Sequence, residues 1–214
     1  MFLHELSGRT LRVRALISVF LVGFAVYACA SYDKHHVDYG TVKDYSNSNT
    51  LDGVTLAAEA LISEARVTAV FDEYLLAKDY YPIKVMLQND SDGRVLVLRE
   101  TVELRDSKGR VYRPVEATVV AEDFEDSEVA YALLAPLVGG FSYASARDAN
   151  LERQADYSKK EMPPSQVIPP GRKRGSFLYF KLPRYVVGSS SLRLEVEHME
   201  DQRLTVLTVQ PYSY

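Results

Sequence analysis

Few side chains in this sequence can do chemistry, and their spacing narrows what that chemistry is. There are four histidines, at positions 4, 35, 36 and 198, and a single cysteine, Cys29. His35-His36 lies between Asp33 and Asp38 with no Cys or third His at ligand spacing, so it reads as a solvated linker rather than a metal site. His198, beside Glu197 and Glu200 at the end of a strand pattern, reads as a surface strand histidine. A role as general base requires a serine brought to it by the fold. The chain contains no G-x-S-x-G elbow, no H-E-x-x-H, no phosphate-binding glycine loop and no cysteine pair. Asp90-Ser91-Asp92-Gly93 invites a calcium reading. With Gly93 in the glycine position of an EF-hand loop, however, Gln88 falls at the first ligand and Arg99 where the bidentate Glu belongs. A hairpin turn accounts for it. No catalytic residue, metal or cofactor is expected, and the chain is read as a non-enzyme.

Composition sets the next bounds. The 214 residues suit one domain with attachments, and 47% hydrophobic with 25% charged residues is ordinary for a chain with a sizeable core. One cysteine forms no internal disulfide, so packing and hydrogen bonds must hold the body. The formal net charge is −4, and it becomes −6 for the part after residue 28, because Arg9, Arg12 and Arg14 outnumber Glu5 before it. A mildly acidic body is a poor binder of phosphate backbones, so no nucleic-acid partner is expected.

Arg9, Arg12 and Arg14 lead into the uncharged run Ala15 to Ala28. At 1.5 Å per residue it spans about 21 Å, short of the ~30 Å hydrocarbon core, which fits a signal peptide over 1–28. The run ends Val26-Tyr27-Ala28-Cys29, which resembles the lipobox of bacterial lipoproteins, with Val26 and Ala28 matching the branched and small positions. The resemblance implies lipidation of Cys29 and cleavage before it. Ala30 lacks the Asp that implies inner-membrane retention, so the resemblance favours the outer membrane, with the body facing the periplasm. The other reading of the run is a signal anchor, or a plain cleavable signal with Cys29 incidental.

Residues 29–52 show neither helical nor strand periodicity and read as a lipidated, flexible tether, with Tyr32, Tyr39 and Tyr45 in it. From 53 to 214 the texture is β-rich. Val54 to Leu61, Ile83 to Leu87, Val95 to Leu98, Thr101 to Leu104, Gly175 to Leu182, Leu192 to Val196 and Leu204 to Val209 are strand candidates separated by turn formers. Val111 to Val120, broken by Pro114, reads as an edge or bent strand. Arg172-Lys173-Arg174 reads as a solvated turn, with anionic lipid headgroups or a polyanionic envelope glycan as its functional alternative. The expected fold is mainly β: an antiparallel β-sandwich. It resembles the immunoglobulin-like domains of an uncharacterised family of envelope lipoproteins.

One segment breaks the pattern. An acidic run, Glu122 to Glu128, caps an apolar stretch from Val129 that Pro136, Gly139 and Gly140 interrupt, and an amphipathic helix follows from about 142 to 162. The inserted helical segment, about 126–162, is expected to pack on the sandwich, to meet a partner as an exposed hairpin, or to enter a membrane. Leu133, Leu134, Leu137, Val138 and Phe141 are its candidates for partner contact. The sequence therefore predicts a membrane-anchored envelope lipoprotein, non-enzymatic, acting as an interaction or scaffolding module. The alternative is a binding protein for an envelope glycan, peptide or small ligand.

Overall fold

The computed structural model describes residues 31–126, 141–183 and 190–212. Contacts divide the chain into a β body, Asp33–Phe124 with Arg153–Tyr214, and a smaller unit, Met1–Tyr32 with Glu125–Glu152. Among the described residues no helix is long and apolar enough to cross a membrane.

Among the described residues the body has ten strands: β1 Asn47–Leu51, β2 Val54–Ala60, β3 Tyr80–Asn89, β4 Val95–Leu98, β5 Glu103–Arg105, β6 Val111–Tyr112, β7 Ser165–Ile168, β8 Arg172–Lys181, β9 Ser191–His198 and β10 Arg203–Val209. All named pairings are antiparallel. They form a four-stranded sheet in the order β1-β2-β3-β8 and a six-stranded sheet. In the second sheet β10 runs along one edge of β9, while β4 and β5 share the other edge and carry β7 and β6 outside them. The fold is the mainly β, two-sheet sandwich that the alternating strands predict. Burial in β9 alternates as Leu192, Leu194, Val196 and His198, the half-solvated pattern of an antiparallel sheet. Pro82 is tolerated inside β3 because β2 stops opposite Ile83, leaving no ladder donor to be missed on that side.

The four-stranded sheet is covered on both faces. Val54, Leu56, Ile83, Val85, Leu87, Leu178 and Phe180 lie on one face and are buried. On the other, Ala57, Met86 and Gly175 form one row across β2, β3 and β8, followed by Glu59, Lys84 and Phe177 in the next. Part of this face is closed by helix α1, Glu64–Phe71, and by the last turns of α3, Phe141–Lys160. Phe71 packs edge-on against Tyr157, Phe177 and Tyr179, with ring centroids 5.3, 5.1 and 5.7 Å away. A further part is closed by residues 39–45, where Tyr45, Ala57 and Met86 form a buried cluster with Tyr39 and Val42 against it.

Asn89 ties the two sheets at one end. Fully buried at the end of β3, it donates through Nδ2 to the carbonyls of Gly93 and of Ile168 in β7, both at 2.8 Å, and accepts from Ser91 N and Oγ at 3.0 and 2.6 Å. Asn89→Ala orphans these groups in the interior and is expected to cost roughly 2–3 kcal/mol. Chemical denaturation checks it: a loss below about 0.5 kcal/mol shows that the tie is not needed.

Three sequence readings are corrected. Residues 29–52 are not a flexible tether throughout: the chain from Asp33 is docked on the body and Asn47–Leu51 pairs with β2. Val111 to Val120 is not one bent strand. It forms β6 and then helix α2, Ala117–Asp123, because Ala117, Val120 and Ala121 stand at i, i+3, i+4 and bury a helical stripe that outweighs β-branched preference. Arg172-Lys173-Arg174 is not a loop but the start of β8, paired to Asn89, Gln88 and Leu87. The helix expected from about 142 to 162 is present as α3; in the smaller unit the side chain of its Asn150 exchanges hydrogen bonds with the backbone of Asp126, at 2.9 and 3.1 Å. Cys29, Leu133, Leu134, Leu137 and Val138 lie outside the described residues, as does the side chain of Phe141.

Candidate functional site

Residues 33–46 form a strap along the four-stranded sheet. Asp33 N donates to Asp72 Oδ2 at 2.9 Å, and His35 Nε2 stands 3.7 Å from Asp72 Oδ1. The Tyr39 ring tilts against Phe177 with centroids 5.8 Å apart, and its hydroxyl reaches Lys160 O at 3.5 Å. Gly40 takes a positive φ of 66°, its carbonyl accepts from Lys173 Nζ at 2.7 Å, and Asp44 caps the next turn through Thr41 N and Oγ1. The Tyr45 hydroxyl closes the strap on itself by donating to Tyr39 O at 3.0 Å.

Gly175 makes this docking possible. A Cβ there would lie 2.3 Å from Tyr39 Cγ and 2.6 Å from Cδ1, inside any real contact distance. Gly175→Ala is expected to push the Tyr39 ring off β8 at a cost of roughly 1–3 kcal/mol. Limited proteolysis between 33 and 46 and a thermal melt measure it; unchanged protection of the strap would refute the close approach.

The strap and the end of α3 enclose a groove of about 490 Å³ lined by Lys34, His35, His36, Val37, Tyr39, Ala155, Asp156, Lys159 and Lys160. Its floor carries an ion pair between Asp156 and Lys160, one helical turn apart and both buried. Lys160 Nζ also donates to Val70 O at 2.6 Å and stands 5.3 Å from the Phe71 ring. Burial holds the Lys160 ammonium below its ordinary range, against the opposing pull of Asp156.

Burial also pushes the Tyr39 phenol up to about 12, with Asp156 adding to it, and raises Tyr45, Tyr157, Tyr179 and Tyr212 as well. In the unfolded chain these phenols ionise near 10. Above that pH the folded state therefore holds more protons than the unfolded one, and stability falls as pH rises. The stabilisation is complete below about pH 10 and is lost as pH climbs through the folded-state values. Tyrosinate absorbance from these residues is expected to appear together with loss of near-UV circular dichroism. Ionisation with the fold intact would contradict their burial.

A second cleft, about 510 Å³, is lined by Asp52, Ser91, Asp92, Gly93, His198, Glu200, Asp201 and Arg203. His198 is buried here, not on the surface as the strand pattern implied, because its ring bonds to the neighbouring strand. Thr205 Oγ1 donates its one proton to Asp52 Oδ2 at 2.6 Å, so His198 Nε2, 3.1 Å away, is the donor to Thr205. The Thr205 bond, followed by Arg203, holds the Asp52 carboxyl below its usual range. The Ser91 hydroxyl is engaged by Asn89 and Gly93 O in the turn expected at 90–93, so it is not a nucleophile paired with His198. Among the described residues no group of three or more His, Cys, Asp and Glu side chains is placed to hold a metal ion.

Sequence reasoning treated the two histidines as linker residues and passed over the Asp156–Lys160 pair. The signal was present: three tyrosines within a segment read as a tether are more aromatic surface than a solvated linker carries.

No family model matches the chain, and no curated protein matches it. Among solved structures, the yjhA protein from Bacillus subtilis is similar at 10% sequence identity with a TM-score of 0.40, over 76% of this chain and 95% of that one.

Proposed function

We propose that this chain is a membrane-anchored envelope lipoprotein, lipidated on Cys29, whose β body is a non-enzymatic interaction or scaffolding module held close to the membrane surface. The observation that supports it best is the short distance in sequence between the lipobox-like Val26-Tyr27-Ala28-Cys29 and Asp33, the first docked residue of the body. Four residues reach at most about 14 Å. A lipid on Cys29 therefore keeps the strap side of the body at the headgroup level, rather than on a long leash, and two or more acyl chains make such attachment stable. The outer membrane is the proposed location, with the body on the periplasmic face.

Metabolic labelling with radioactive palmitate tests the reading. The wild-type chain is expected to take up label and sediment with outer membranes, and Cys29→Ala to do neither. A wild-type chain that stays unlabelled, with its Cys29 thiol free in the purified protein, would overturn it.

A further inference from the structure

The outward face of the six-stranded sheet is apolar where four strands meet. Antiparallel pairing sets Leu204 of β10, Glu197 of β9, Leu96 of β4 and Val167 of β7 opposite one another, so the four side chains stand in one row on that face. Val206 on β10 and Leu98 on β4 flank the row. Leu204 is 62% exposed, Val167 42% and Val206 39%, while Leu96 and Leu98 are half-buried. Contiguous apolar side chains on a solvated face mark a contact surface. Glu197 stands half-buried in the middle of them. Among the described residues no hydrogen bond or ion pair engages its carboxylate, and the cations of this face are already taken: Arg193 by Glu195 at 2.7 Å and Glu103 at 3.9 Å, and Arg94 by Glu200 at 3.7 Å.

We infer that this face binds a protein segment that sets a lysine or arginine on Glu197, with apolar side chains on Leu204 and Leu96 to either side. The inference rests on the interaction-module reading proposed above and names its surface. Neighbouring strands lie about 4.8 Å apart, so the row presents apolar, acidic and apolar groups at that interval. A helix with apolar, basic and apolar residues at i, i+4 and i+8 offers the complement at a rise of about 6 Å, close to the spacing of the row. Charge selects the occupant. The part of the chain after residue 28 carries a net −6, which draws a cationic partner. A second copy applied face to face would bring another Glu197 and no free cation from this face. A bilayer would have to take in the carboxylate unpaired, which is costly.

Carbodiimide coupling tests it, because the reagent joins a carboxylate to an amine only where the two are in contact. The full chain, purified from membranes in detergent, is mixed with an acetylated, alanine-rich helical peptide carrying leucine, lysine and leucine at i, i+4 and i+8. Mass spectrometry of the digest then compares the peptide amide on Glu197 with that on Glu122, an exposed carboxylate of α2. Glu197 is expected to couple severalfold more than Glu122. The excess should vanish with a peptide whose leucines are replaced by serine, and in Leu204→Ser, which removes a side chain outside the core. Equal coupling at Glu197 and Glu122, or an excess that persists without the leucines, overturns the proposal. Coupling of Glu197 to a lysine of another copy, read by mixing heavy-isotope and light-isotope protein, assigns the face to self-association and overturns the basic partner. The mass of the N-terminal peptide reports lipidation of Cys29 in the same digests, so a missing anchor and a non-binding face give different readings.

Discussion

Phe71→Ala is expected to destabilise the body by about 3–5 kcal/mol, the range for emptying a buried aromatic site. The ring is wholly buried and is the common neighbour of Tyr157, Phe177 and Tyr179, so its loss leaves three aromatic residues facing a void. It also removes the apolar surface beside Lys160. For a chain of this size the melting temperature should fall by roughly 10 °C or more. Phe71→Leu, which refills much of the volume, should lose distinctly less. A thermal melt in which the alanine variant drops by under about 2 °C would show that α1 does not close this part of the sheet.

Asp156→Ala is expected to be nearly as costly, about 3–5 kcal/mol, because it leaves the Lys160 ammonium buried with Val70 O as its remaining polar partner described above. Asp156→Ala combined with Lys160→Met removes both charges and should recover most of the loss, since a buried pair replaced by apolar groups is often neutral. The pH dependence gives an independent check. Burial already holds Lys160 below its ordinary range, and removing Asp156 takes away the neighbour that opposes this. The folded variant then releases its proton at a pH where the unfolded chain still holds one. The penalty relative to wild type should therefore shrink as pH rises toward the ordinary lysine value. A penalty that stays constant between neutral and mildly alkaline pH would mean that Lys160 is not the group at fault.

Much of the sandwich could be read from residue order. Alternation in β9 and β10, the turn formers at 90–93 and 106–109, and the apolar run of β8 each point to a strand or turn that the structure contains. What escaped the reading has a common physical cause: partners distant in the chain. Met86 in β3 sits on the outward face, where alternation calls for a polar residue, and Tyr45 arriving from the strap, with Tyr39 and Val42 beside it, explains it. Gly175 at the start of an apolar strand looks like the end of a turn until Tyr39 is seen to occupy the space a side chain would take. β1, with the sequence NSNTL, has no apolar period because four of its five residues are exposed at a sheet edge, and its strand character comes from pairing with β2. The groove residues were visible singly, His35-His36 in one segment and Lys159-Lys160 in another, but no local pattern connects them.

The strap also has a consequence for the order in which the molecule is completed. Some of its partners come late in the chain: Gly40 and Lys173 are separated by 133 positions, and Tyr39 rests on Gly175 and Phe177 in the same strand. Contacts of such sequence separation carry a large loop-closure cost and form slowly. The middle of the strap, at Tyr39 and Gly40, thus gains its contacts with β8 only after that strand has been made and paired with β3, later than the ends of the strap can settle on Asp72 and Met86.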